Sequence, residues 1–281
     1  MLFYSIPLFI FLACQSDPKS ASHDSVPSES DLMPGERREE FLIAQFDSTI
    51  RTIHMFVALC DNKYQGIVPV PEKIGNGQNP NSNLYWGCGY GVKTFFKKSS
   101  DWKLVRTTKV DTMILERLVF KHATKKIYLI ADAYDGRYIK ECTTDFIKSS
   151  AGLIKDTLHV DQNIIGIKGN SELLTYTGHD GLMEFRLDDE FENQDGKLRN
   201  VIILACYSKM YFFQYLEKCN VNPLVWSTGL MSPEAYTSHD AIAGFVNDEK
   251  NEQIRSRAAL AYSTYQKCGE KAARKLLITG W

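Results

Sequence analysis

Apolar residues gather in short blocks separated by polar stretches. Four blocks stand out: Ile53–Cys60 (IHMFVALC), Lys126–Ala131 (KIYLIA), Ser171–Thr177 (SELLTYT) and Asn200–Cys206 (NVIILAC). A fifth, weaker one is Pro223–Thr228 (PLVWST). Each has strand length, and most carry β-branched or aromatic residues. The second and fourth are apolar almost throughout rather than alternating, which suits strands covered on both faces of a parallel sheet. Helices are predicted between them. Asp111–Ala123 places Met113, Leu115, Leu118 and Val119 on one face, and Asp135–Ser150 has Ile139, Cys142, Phe146 and Ile147 at helical spacing. Lys209–Cys219 and Asp248–Lys267 read as helices too. Strands alternating with helices predict an α/β fold with a largely parallel sheet. No internal repeat is present.

The first residues follow a different pattern. Leu2–Ala13 (LFYSIPLFIFLA) is nearly all apolar, yet too short to span a bilayer as a helix. It suits the apolar part of a signal peptide, residues 1–13, although no Lys or Arg precedes it. The run ends Phe11-Leu12-Ala13-Cys14, which resembles the lipobox of bacterial lipoproteins and implies lipid attachment at Cys14. Gln15–Gly35 is rich in Ser, Pro and Asp and cannot bury a core, so residues 14–35 read as a lipidated flexible tether. The folded body is expected over residues 36–281, held at the bacterial cell envelope only by the lipid.

Composition narrows the function. The chain has 281 residues, 44% of them hydrophobic and 24% charged, the balance of a globular protein with one large core. Lys plus Arg number 33 against 34 Asp plus Glu, so the basic excess of a nucleic-acid binder is missing. Seven cysteines are too few for a disulfide scaffold, and an odd count leaves at least one outside internal pairing. No Walker loop, no CxxC pair and no zinc spacing occurs, so no cofactor and no metal are expected. Lys73–Gly91, rich in Gly and Asn, follows the first strand and lies at a sheet end, as a ligand-binding loop or as a solvated insertion.

Two strand ends carry the chemistry. The third finishes in Gly178-His179-Asp180-Gly181 and the fourth in Ala205-Cys206-Tyr207-Ser208. Neighbouring parallel strands set their C-terminal ends side by side, so His179 and Cys206 are expected across one crevice. A thiolate nucleophile with a nearby imidazole is the arrangement of thiol catalysis.

The pieces LLTYTGHDG and VIILACYS, with His before Cys, resemble the caspase-like cysteine peptidases, which include caspases, metacaspases, legumain, clostripain, gingipains and CHAT domains. The likeness runs over roughly residues 53–228, with specific motifs only at the two strand ends. It implies a three-layer sandwich with a mostly parallel sheet and a peptidase acting on a protein or peptide substrate. Cys206 would be the nucleophile and His179 the general acid/base. The backbone N–H groups of Cys206 and of Asp180 or Gly181 would be the oxyanion donors. Asp180 departs from the family pattern, in which Gly directly follows His, and leaves open an inactive, peptide-binding form of the same fold.

Family members tend to cleave after a charged residue. No Arg stands at an equivalent strand end, so a lean toward Lys or Arg follows, with Asp61 as the pocket carboxylate and Asp132 and Asp135 as rivals. Trp226, Ser227 and Thr228 end the fifth strand as a possible pocket wall. Cys219 and Cys268 close two predicted helices and could pair, His239-Asp240 reads as a loop or helix start, and the acidic Asp188–Lys197 reads as a solvated turn or a processing site.

Overall fold

The structure is a computed structural model that describes residues 45–281; these belong to one unit, Leu42–Trp281. The predicted signal peptide, Cys14 and the tether lie outside the described residues. In chain order the elements are β1 (Arg51–Ala58), α1 (Val92–Lys98), β2 (Trp102–Thr108), β3 (Ile114–His122), β4 (Ile127–Tyr134) and α2 (Ile139–Ser150). Then follow β5 (Lys155–Val160), β6 (Asn163–Lys168), β7 (Leu173–Thr177), β8 (Arg199–Leu204), α3 (Ser208–Leu216) and β9 (Val221–Ser227). The chain closes with α4 (Ala235–Val246), α5 (Asn251–Gln266), α6 (Glu270–Leu276) and β10 (Leu277–Ile278). Among the described residues no helix is long and apolar enough to cross a membrane.

An 8-stranded sheet runs in the order β10-β9-β8-β7-β1-β4-β3-β2, with β5 and β6 as a separate hairpin. Strands β9, β8, β7, β1 and β4 are parallel, while β10, β3 and β2 join antiparallel at the edges. After β1 the chain runs to the edge strand β2, returns through β3 to β4 beside β1, then crosses to lay β7 on the other side of β1. The strand order therefore reverses between β1 and β7, the place where open α/β sheets form a crevice beyond their carboxyl ends.

Alternation along β1 feeds two cores. Met55 and Val57 join Ile202 and Leu204 of β8 under α1, α4 and α5. Phe56 and Ala58 join Tyr176, Ile203 and the apolar faces of α2 and α3. The result is helix, sheet and helix in three layers. The five predicted strands are all present, and α2, α3 and α5 fall where helices are predicted.

One expectation is corrected: Asp111–Ala123 holds strand β3, not a helix. Leu118 and Phe120 enter one core while Val119 packs under the β5–β6 hairpin. Apolar side chains on both faces give a spacing that reads as helical, and a bulge between Ile114 and Glu116 breaks the period of two.

A buried charge network ties β1, β3 and β4 together. Arg117 Nε and Nη2 donate to the two Asp132 oxygens at 2.6 and 2.7 Å. His54 Nδ1 accepts from the Lys168 backbone N–H at 2.9 Å, so Nε2 carries the hydrogen and donates to Asp132 at 3.0 Å. Burial alone would raise the Asp132 carboxyl, but Arg117 and His54 bring it down to about 2. Burial holds His54 below its ordinary value.

Both shifts act in one direction. The unfolded chain binds protons that the folded chain refuses, first on His54 below 6.5 and then on Asp132 between 3.8 and about 2. Stability is expected to fall as pH drops through those windows. Asp132→Asn leaves a buried guanidinium unpaired and should cost about 3–5 kcal/mol in urea unfolding at pH 7.

Candidate active site

His179 and Cys206 are brought to one place. Both line a cavity of about 520 Å³ together with Gly178, the strand-end Cys60 and the loop after β9. Gly178 makes this approach feasible. Its φ is +147°, and a Cβ there would stand 2.6 Å from the Ala58 carbonyl oxygen. Only glycine lets β7 leave the sheet so close to β1.

Cys206 sits on a tight turn between β8 and α3. Tyr207, which follows, is left-handed (φ 49°, ψ 30°), and its N–H donates to the Gly229 carbonyl at 2.9 Å. Two buried hydroxyls brace the turn. Ser208 Oγ donates to the Ile203 carbonyl at 2.9 Å and accepts from the Ser227 N–H at 2.8 Å, while Ser227 Oγ bonds the Ala205 carbonyl. Ser227 therefore holds the cysteine-bearing turn from beneath.

The resting thiol is not ionised by its neighbours. Sγ accepts from the Met231 N–H at 3.4 Å and donates toward the Met231 carbonyl at 3.6 Å; among the described residues it has no hydrogen bond to His179. Burial pushes its pKa up, the Met231 amide opposes this, and Asp180 adds to the rise. His179 is 8% exposed, and its Nε2 bonds the Glu184 carboxylate.

Asp180 points away from the cavity. Its Oδ1 accepts from Leu182 N–H at 3.0 Å, capping a 3-10 turn at Gly181–Met183, and its buried Oδ2 has no partner. Burial pushes the carboxyl up to about 7. Gly181 packs on Phe185 and Ile139. Of the expected oxyanion donors, only Cys206 belongs to a cavity-lining residue; Asp180 and Gly181 stand behind the wall.

The expected substrate-binding residues lie elsewhere. Asp61 is buried, its Oδ1 accepting from the Lys63 and Tyr64 N–H groups and its Oδ2 from Gln78 Nε2 at 2.6 Å. A strand-end Asp is spent on turning its own loop. Asp135 is taken by Arg137 and Gln78, and Asp132 by the network above. Trp226 is sealed in the core with its indole N–H on the Gly280 carbonyl, and Thr228 Oγ1 bonds the Lys275 carbonyl.

Their places on the wall are filled by residues without a motif: Met231, Ser232, Pro233 and Glu234 after β9, and Ile74, Leu84 and Tyr85 from the glycine-rich loop. That loop is a wall, not a solvated insertion. The Trp86 indole N–H donates to Glu116 of β3 at 2.5 Å, and buried Asn83 bonds the Cys60 backbone on both sides. At the mouth, Val68 is 86% and Leu230 68% exposed, an apolar rim over an apolar cavity.

Among the described residues Glu234 is the only carboxylate on this wall, and neither Lys nor Arg lines it. Oε2 accepts from Tyr236 Oη at 3.0 Å and Gln266 Nε2 at 3.2 Å. Burial raises its pKa, against the Tyr236 hydrogen bond. The six cysteines of the described residues are unpaired, Cys219 and Cys268 included. His239 lies inside α4, bonded to Asp240 and Ser99. Among the described residues no group of three or more His, Cys, Asp or Glu side chains gathers as a metal site. Comparison with family models, curated proteins and solved structures returned no match.

Asp180→Asn keeps the capping oxygen and removes a buried charge. Asp180 contributes a loss of stability as pH rises from 3.8 to about 7, opposite in sign to the His54 contribution, because the unfolded state releases its proton first. The variant should lack that loss in denaturation midpoints across this range. Its Cys206 should also alkylate faster at pH 8, since the nearby negative charge is gone.

Proposed function

We propose that this chain is a thiol hydrolase of peptide bonds with a caspase-like fold. The observation that carries the reading is that adjacent parallel strands β7 and β8 end in His179 and Cys206 on the wall of one cavity. The resemblance rests on the two motifs and on the sheet that carries them.

In this reading His179 takes the Cys206 proton as Sγ attacks the substrate carbonyl carbon and forms the C–S bond. The developing oxyanion is met by the Cys206 backbone N–H. The C–N bond breaks, and the imidazolium gives its proton to the leaving amine. Water, deprotonated by His179, then attacks the thioester, releasing the acid and restoring the thiol.

The wall supports a substrate with a cationic tip on an apolar stem, as in Lys or Arg. Apolar side chains would cover the stem, and Glu234 would take the charge that the sequence suggested for Asp61. The Cys14 motif supports attachment to the bacterial envelope by lipid, with the membrane met only through that anchor. Metabolic palmitate labelling that disappears in Cys14→Ser would test this.

A second reading, a peptide-binding module without catalysis, is favoured by the neutral thiol held on Met231 rather than on His179. Cleavage of a fluorogenic peptide library by the purified chain separates the two. Hydrolysis lost in both Cys206→Ala and His179→Ala supports the enzyme. Cleavage retained in Cys206→Ala would sink it. Glu234→Gln should lower kcat/KM on Lys and Arg peptides by about ten- to hundredfold, with little change on neutral ones.

A further inference from the structure

His179 is held by a residue that no motif announces. Glu184 lies just beyond the 3-10 turn Gly181–Met183, its backbone N–H donating to the Gly181 carbonyl at 2.9 Å. The turn brings its side chain back over the imidazole. Oε1 accepts from His179 Nε2 and also from the Gly66 backbone N–H at 2.7 Å. The Glu184 side chain is 35% exposed while that of His179 is 8% exposed, so the carboxylate closes the outer side of the ring.

A carboxylate accepting from Nε2 fixes the hydrogen on that nitrogen in the neutral ring. Nδ1 is then the basic nitrogen, and among the described residues it has no hydrogen-bond partner. Gly66 belongs to the loop whose Ile67 and Val68 line the cavity mouth. A Cβ on Gly66 would fall 2.4 Å from Glu184 Oε1, so glycine is what allows the three-way contact.

We propose that Glu184 is the positioning residue of a Cys206–His179–Glu184 triad, and that Gly66 anchors it to the rim loop. This rests on the thiol-hydrolase reading above. The proton of Cys206 Sγ passes to Nδ1, giving an imidazolium whose Nε2–H stays on Glu184. The same proton leaves later from Nδ1 to the departing amine nitrogen. Glu184 takes no part in the proton transfer; it orients the ring and stabilises its positive charge. Asp180 is the other acid close to Glu184, behind the wall, and it adds negative charge to the same corner without touching the ring.

Because the resting thiol is held on Met231 rather than on His179, the probe must occupy the cavity as a substrate would: the test uses the full chain, a lysyl-peptide acyloxymethyl ketone and site-resolved mass spectrometry, with exposed Cys268 as internal reference. Wild-type Cys206 should alkylate faster than Cys268 at pH 7, and His179→Ala should abolish the difference. Glu184→Ala should slow Cys206 by about ten- to hundredfold, below the loss known for a fully buried orienting carboxylate because this one is partly exposed. It should also move the inflection of the rate–pH profile downward, because the imidazolium without its carboxylate is a stronger acid, which a structural role would not do. Glu184→Gln keeps an oxygen acceptor and should recover part of the rate at neutral pH, the share due to orientation rather than to charge.

Gly66→Ala provides a variant that leaves Glu184 in place. The clash is with the end of a flexible side chain, so the fold stays intact while the contact breaks, and it should behave as Glu184→Ala does. If wild-type Cys206 reacts no faster than Cys268, the thiol-hydrolase reading and the triad both fall. If His179→Ala slows the reaction but Glu184→Ala and Gly66→Ala match wild type, or exceed it, the pair stands and the role of Glu184 is overturned.

Discussion

Parallel pairing of β7 with β1 on one side and β8 on the other is the constraint on which the site depends. Parallel strands finish at the same edge, so whatever follows each strand is delivered to one rim. Three strand ends, two thiols at Cys60 and Cys206 and an imidazole at His179, meet there because the pairing of their strands gathers them. Gly178 completes the arrangement, because any side chain at that position would strike the end of β1 and push the histidine outward. The charge network of His54, Asp132 and Arg117 ties β1 to β4 and β3 on its other side.

Support and chemistry are divided among different residues. The cysteine turn is held by two serine hydroxyls and by a left-handed tyrosine, none of which lines the cavity. The histidine is held by a carboxylate outside the wall. Acids nearest the strand ends, Asp61, Asp132 and Asp135, are all consumed by backbone or guanidinium partners. This is the general fate of short carboxylates beside tight turns: their reach suits local N–H groups better than a ligand across a crevice. Longer glutamates, arriving from loops, do the reaching here.

That division explains what the sequence could and could not disclose. The parallel strands were legible because burial on both faces writes itself as unbroken apolar runs. The His and Cys ends were legible because each follows such a run directly. Strand β3 was misread as a helix for the same physical reason that made β4 and β8 clear, since a strand packed on both faces loses its alternation. Glu184 and Glu234 had no local signature. Each owes its place to where a loop returns, which depends on the whole sheet. Asp61 had the right address but the wrong partners, and only the geometry of residues 61–78 reveals that.

The glycine-rich stretch between β1 and α1 has a thermodynamic consequence. A stretch of turns rich in Gly and Asn would normally be the most expensive part of a binding site to order. Here the Trp86 indole is fastened to Glu116 on the outer part of the sheet, and Asn83 is fastened to the end of β1. The loss of freedom is met when the domain folds, at the sheet, rather than when a ligand arrives. A guest in this cavity encounters a rigid mould, and its affinity reflects its own shape and charge more than the taming of a loop.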